Sequence, residues 1–158
     1  MSGFALAAQG AREILITRNF PASAARLFEA LTQPEFIRQW MLGPPGWTLA
    51  ICKTDPRPGG EFRYLWHNEG GEELGMRGRY LEVEPPRHLV HVERFDGVPE
   101  ESEATITSEL TEIEGRTTTL RATVRYGSPE ARDAMLATDM ASGIRDSYDR
   151  LAAILSAS

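Results

Sequence analysis

From Glu13 the chain alternates, with Ile14, Ile16 and Phe20 on one side of an extended segment and Glu13, Leu15 and Thr17 on the other. That period predicts a strand, and Pro21 ends it. Ser23 fits the cap of a helix in which Ala24, Leu27, Phe28 and Leu31 recur at helical spacing. Pro34 opens a second short helix with Phe36, Ile37 and Trp40 on its apolar side, and Gly43-Pro44-Pro45-Gly46 stops it. Strand-length apolar runs then follow, separated by turn chemistry: Trp47 to Thr54, Glu61 to His67, Gly75 to Val83, Leu89 to Phe95, Thr105 to Ile113 and Thr117 to Tyr126. Gly70-Gly71, Pro85-Pro86, the acidic loop after Pro99 with Glu100, Glu101 and Glu103, and Glu114-Gly115 are the breaks between them.

The period changes once more after Ser128-Pro129-Glu130, a cap, a proline and an early acid in the order that starts helices. Leu136, Met140, Ile144, Tyr148, Leu151 and Leu155 then form one stripe, which predicts a single helix of about seven turns. Gly143 suggests a bend or a close approach, with simple drift as the alternative. A long amphipathic helix needs an apolar partner, and the sizeable one here is the inner face of a curved antiparallel sheet. The expected fold class is α+β: six to seven antiparallel strands wrapped around a long C-terminal helix, with two short helices after the first strand. Such a grip can enclose a cavity.

Length and composition narrow the setting. With 158 residues, 41% hydrophobic and 25% charged, the chain fits one soluble domain with a core of its own. Residues 1–11 read as a flexible lead-in, with a short added edge strand as the alternative, and residues 12–158 as the domain. The net charge of −6 removes the general attraction that non-specific nucleic-acid or anionic-membrane binding uses, so neither partner is expected. Lys53 is the single lysine and no P-loop surrounds it. Cys52 is the single cysteine, which excludes an internal disulfide and points to a reducing cytoplasm. Met1 to Ala11 has no basic start and too short an apolar run for a secretory leader, so none is expected, and no segment reaches the length of a membrane span.

At this point several motifs, in order, resemble one family. Thr54-Asp55-Pro56-Arg57-Pro58-Gly59-Gly60-Glu61-Phe62-Arg63 is similar to the D-x-R-P-G-G-x-[FW]-R signature of the activator of heat-shock-protein-90 ATPase homologue family, within the START-related, birch-pollen-allergen-like superfamily abbreviated SRPBCC. Thr17 to Ala22, Leu27 to Thr32, Pro34-Glu35 with Trp40, Gly78 to Val83 followed by Pro85-Pro86-Arg87, and Ser147 to Leu155 resemble that family's other segments. The resemblance covers Glu13 to Leu155 and implies the helix-grip fold. Many members carry Gly-Trp in the last helix where this chain has Gly143-Ile144, which implies a roomier or differently shaped cavity there. The eukaryotic activators also have a separate chaperone-binding domain. The dozen residues before Glu13 are too few for one, so chaperone stimulation is not the expected activity.

Candidate chemistry is sparse. Phe62, Tyr64 and Trp66 share a strand face and are placed inward with Met76 and Tyr80, opposite Met140, Ile144 and Tyr148. They read either as a ligand pocket or as plain core. Trp40 and Trp47 flank the Gly/Pro loop as a lid or a staple. His88 and His91 are three apart in a strand and face opposite ways, so a joint metal site is not expected. His91 is placed inward with Glu93 and with Glu82 of the neighbouring strand, a polar cluster for a ligand, for proton transfer as in polyketide cyclase relatives, or for a structural network. Arg57 reads as the partner of Asp55 or as a guanidinium at a cavity mouth, and Cys52 as a small buried residue.

The leading expectation is a non-enzymatic protein that binds a small hydrophobic or aromatic ligand between helix and sheet, without a cofactor or metal. An enzyme of the cyclase, dehydratase or hydrolase type, resting on Glu82, His91, Glu93, Tyr64 or Tyr80, is the first alternative. A chaperone-linked interaction module is the second, and a homodimer stays open.

Overall fold

The computed structural model describes residues 3–114 and 116–157. Gly115, half of the expected Glu114-Gly115 turn, and the side chain of Glu101 lie outside the described residues. In chain order the elements are β1 (Ala5–Gln9), β2 (Glu13–Phe20), α1 (Ala24–Thr32), α2 (Pro34–Trp40), β3 (Trp47–Thr54), β4 (Glu61–Asn68), β5 (Glu73–Glu84), β6 (His88–Phe95), β7 (Ala104–Ile113), β8 (Thr117–Arg125), α3 (Pro129–Leu136) and α4 (Met140–Ser156). One curved antiparallel sheet of eight strands runs in the order β1-β2-β8-β7-β6-β5-β4-β3.

The sheet therefore has one strand more than the upper expectation. Ala5–Gln9, read as part of a loose lead-in, takes the edge-strand alternative and pairs with β2 from Ala5↔Thr17 to Gln9↔Glu13. The Gln9 amide donates to Glu13 Oε1 at 2.9 Å and closes the hairpin. Phe4 and Leu6 give the strand its anchor, because both pack on the apolar cluster beneath β2.

The short helices follow local chemistry. Ser23 Oγ accepts from the Arg26 amide and caps α1, whose Leu27 is fully buried and whose Ala24, Phe28 and Ala30 are nearly so. Pro34 occupies the first turn of α2, and the buried Trp40 indole donates to the Ala30 carbonyl at 3.0 Å, tying the two helices together.

The predicted single C-terminal helix is two. α3 ends at Leu136 and α4 begins at Met140. Between them the Thr138 hydroxyl donates to the Met135 carbonyl at 2.6 Å, and the Thr138 amide also turns back to Met135. A threonine that satisfies the backbone locally competes with helix continuation. Gly143 lies inside α4 and admits no close neighbour, since a Cβ there would meet nothing within 4 Å.

The break lets the helices serve two apolar clusters. One joins α1, α2 and the end of α4 (Leu151, Leu155) to the inner face of β3, β4 and β5. The other lies under α3 and the start of α4, against Ile14, Ile16, Ile106, Ala122, Val124 and Tyr126. Tyr148 packs against both. Among the described residues, no helix is long and apolar enough to cross a membrane.

Candidate functional site

Strand alternation turns Phe62, Tyr64 and Trp66 of β4 inward, and the register sets Phe62 opposite Gly78 and Tyr64 opposite Met76 on β5. Gly78 is what lets the Phe62 ring lie across β5, because a Cβ at that position would sit 2.3 Å from Phe62 Cζ and 2.0 Å from the Val92 carbonyl oxygen. Tyr80 faces His91 of β6, and Gly78 faces Glu93. The rings form a ladder, Trp66 to Tyr64 at 5.9 Å, Tyr64 to Phe62 at 5.2 Å and Phe62 to Tyr80 at 5.4 Å, and His91 meets Phe62 edge-on at 5.5 Å. His91 Nε2 and Glu93 Oε1 are 3.0 Å apart, two residues along one strand face.

The candidate residues from the sequence fall into three groups. Trp40, Phe62, Tyr64, Trp66 and Tyr80 are each no more than 6% exposed and belong to the first cluster, so their near neighbours already fill the space beside them. Trp47, Met76, His91, Glu93, Met140, Ile144 and Tyr148 are half-buried. Glu82 is neither: its side chain is 57% exposed on the outer face, where it pairs with His88 at 2.9 Å.

The expectation that Glu82 joins His91 and Glu93 inside is corrected by a β-bulge. Tyr80 pairs with His91 but Glu82 pairs with Val90, so Leu81 is the extra residue and the alternation inverts beyond it. Val83 then takes the inward place and packs on the first cluster. A second bulge between Leu49 and Ile51 does the same in β3, handing the inner face from Leu49 to Cys52. His88 and His91 do face opposite ways, as the three-residue spacing requires.

Arg18 and Tyr126 also reach the site, and neither was among the residues expected there. Arg18 follows Ile14 and Ile16 in the inward row of β2 and is 6% exposed, with Nη1 on Asp149 of α4 at 2.5 Å and its guanidinium 5.4 Å from the Phe20 ring. The signal was present, since an arginine stands at an even position in an apolar even-numbered run. Tyr126 extends the inward row Leu120, Ala122, Val124 by one step. All four tyrosines thus face the interior.

Burial sets their chemistry. Burial first, then the nearby Glu93 carboxylate, pushes the Tyr126 hydroxyl up to about 12. The same two causes, opposed by Arg18, push Tyr148 up to about 12. Tyr64 is raised mainly by burial, with Tyr80, Cys52 and Glu93 adding to it. Glu93, from the middle of β6, is therefore sensed by tyrosines on β4, after β8 and on α4. Burial also raises the Cys52 thiol against the opposing charge of Arg38, so this cysteine is an unreactive core group.

The remaining motifs are structural or lie outside the grip. The Asp55 to Gly60 turn docks on Tyr80 through Gly59 N–H to Tyr80 O and Tyr80 N–H to Gly60 O, both 2.8 Å. A Cβ at Gly60 would come within 1.8 Å of the Asp55 carbonyl oxygen, so glycine is required. Arg57 pairs with Asp55 at 2.8 Å, with both side chains largely in solvent. The indole of Trp66 donates to the Met41 carbonyl at 2.9 Å, and Arg150 Nε donates to the Trp40 carbonyl at 3.0 Å, so the Gly/Pro loop is pinned at its start. A depression of about 470 Å³ on the outer face is lined by Glu84, Arg87, His88, Glu109, Leu110 and Thr111. Another of about 380 Å³ lies between α1 and the Pro85-Pro86 turn. Neither contains a candidate residue from the inner face.

A sheet closed over by a long helix, with a polar pair set in an aromatic wall, defines a helix-grip domain. Residues 21–156 match the family model described as activator of Hsp90 ATPase homolog 1-like protein, and the chain belongs to that family. A protein from Rhodobacter sphaeroides of known structure is 33% identical over 98% of this chain and 99% of its own, with a TM-score of 0.91. A Mycobacterium smegmatis protein shares the fold at 21% identity and a TM-score of 0.84, over 98% of this chain and 97% of its own. An Hsp90 activator from Plasmodium falciparum shares it at 21% identity and a TM-score of 0.58, over 73% of each chain. No curated protein matches the sequence.

Proposed function

We propose that this chain binds a small apolar or aromatic molecule inside the grip, between α4 and the inner faces of β4, β5 and β6. The observation that carries the reading is the division of the interior: two apolar clusters meet at Tyr148, and the groups near that junction, Met76, His91, Glu93, Met140 and Ile144, are half-buried. A finished core would bury them. Pockets for small molecules combine such apolar walls with a few fixed polar groups.

Ile144 supplies the test. Ile144→Trp should fold with near-unchanged stability, because the indole enters free space, and should abolish binding of naphthalene methanol measured by calorimetry. If the interior is already filled, the indole overpacks it, at a cost of about 1–3 kcal/mol, and the wild type gives no binding heat. Native mass spectrometry of protein from its own host adds a direct search for a retained metabolite. Hsp90 activation belongs to the Plasmodium falciparum neighbour.

A further inference from the structure

We infer that the molecule held in the grip carries a cationic amine head, received by Glu93, on its apolar or aromatic body. The inference rests on the binding reading above and adds the charge of the ligand.

The interior contains two polar poles, and only one is neutralised. Arg18 has Asp149 as its counter-ion and lies over Phe20. Among the described residues, the hydrogen-bonding and ion-pair partner of Glu93 is His91, at 3.0 Å. His91 Nδ1 is buried with no hydrogen-bond partner. A buried N–H left without an acceptor is costlier than an unused lone pair, so the bonding assigns the tautomer in which Nε2–H donates to Glu93 and Nδ1 carries no hydrogen. In that tautomer the pair carries the whole negative charge of the carboxylate.

A carboxylate offers about four acceptor sites, and His91 fills one. Around the pair, Phe62 meets the His91 ring edge-on and lies beside Tyr64, and Glu93 acts electrostatically on Tyr64, Tyr126 and Tyr148. An ammonium satisfies such a carboxylate and is also attracted by aromatic faces. An acidic ligand would meet Glu93 head on, and Arg18, the cation of the inward row, has its charge countered by Asp149 through Nη1, with its buried Nε left unpartnered.

The experiment compares three probes of one skeleton by calorimetry on the full chain: naphthylmethylamine, naphthalene methanol and naphthoic acid. The amine should bind about tenfold or more tighter than the alcohol, and the acid should bind weakest. Glu93→Gln should erase the amine's advantage over the alcohol, read as the ratio of the two affinities in the same variant. Equal or tighter binding of the acid by the wild type overturns the inference without any variant, as does an amine preference that survives Glu93→Gln. Binding of the alcohol alone, with no preference for the amine, keeps the chamber and rejects the charge. Binding of none of the three removes both readings.

Discussion

The two ends of the grip are built by the same strand alternation and end in different states. At the α1-α2 end, Leu27, Ile37 and Leu151 are completely buried, and the indoles of Trp40 and Trp66 each find a backbone carbonyl. Toward the start of α4, Met140, Ile144 and Tyr148 continue the same helical stripe half-buried, and the sheet opposite offers Glu93 and His91. What differs is the element across the gap. The closed end receives two extra helices, while the other has only α3 and the first turns of α4. Packing density in this fold is decided by how many layers meet at a point, and the under-layered part is where the proposed ligand would sit.

The largest expected effect tests that contrast directly. Leu151→Ala should lower the free energy of unfolding by about 2–5 kcal/mol in a denaturant titration, because a fully enclosed side chain leaves a cavity. Ile144→Ala should cost about 1 kcal/mol or less, having less buried surface to lose. Equal losses would mean that both ends are packed alike and would break the comparison.

A second effect concerns the pin between sheet and helix. Asp149→Asn leaves the Arg18 guanidinium, 6% exposed and already with an unpartnered Nε, without its counter-ion. The cost should be about 1–3 kcal/mol, measured by the same titration. A negligible change would mean that Phe20 stacking and water hold Arg18 unaided.

The smallest effect is a slope. Tyr126 and Tyr148 ionise near 12 in the folded state against an ordinary value of 10.0. An acid whose folded value is raised leaves stability unchanged while both states stay protonated, and stability is lost as pH rises through the range in which only the unfolded chain ionises. The sign follows from proton counting: between pH of about 10 and 12 the unfolded chain has lost the phenolic protons that the folded chain keeps, so raising the pH favours unfolding. Stability should therefore fall across that window, each tyrosine contributing at most about 1.4 kcal/mol per pH unit. Tyr148→Phe should flatten that limb by one proton's share. An unchanged slope would place the Tyr148 hydroxyl in free contact with solvent.

Much of this molecule was legible in the residue pattern: the order of the strands, both short helices, the glycine turn, the opposed faces of His88 and His91, and the inward aromatic ladder. These depend on neighbours within a few positions, where the two-residue and 3.6-residue periods act directly. The motif order also carried the family. Arg18 was legible too, and was missed because an arginine looks foreign in an apolar row until its counter-ion is known.

Other features exist only once the chain is assembled. One extra residue at Leu81 inverted the side chains beyond it and sent Glu82 to the surface, and no local period announces a bulge that is defined relative to the partner strand. The apolar stripe ran unbroken through Thr138, yet the helix divided there and its two parts cover two separate clusters. How far Ile144 and Glu93 are enclosed depended on what stood opposite them, and both are half-buried. Periodicity is a property of a single element, so it suffices to say which residues face inward along each regular run. How fully each inward residue is enclosed is set by the layers across the gap, and those come from segments far away in the chain.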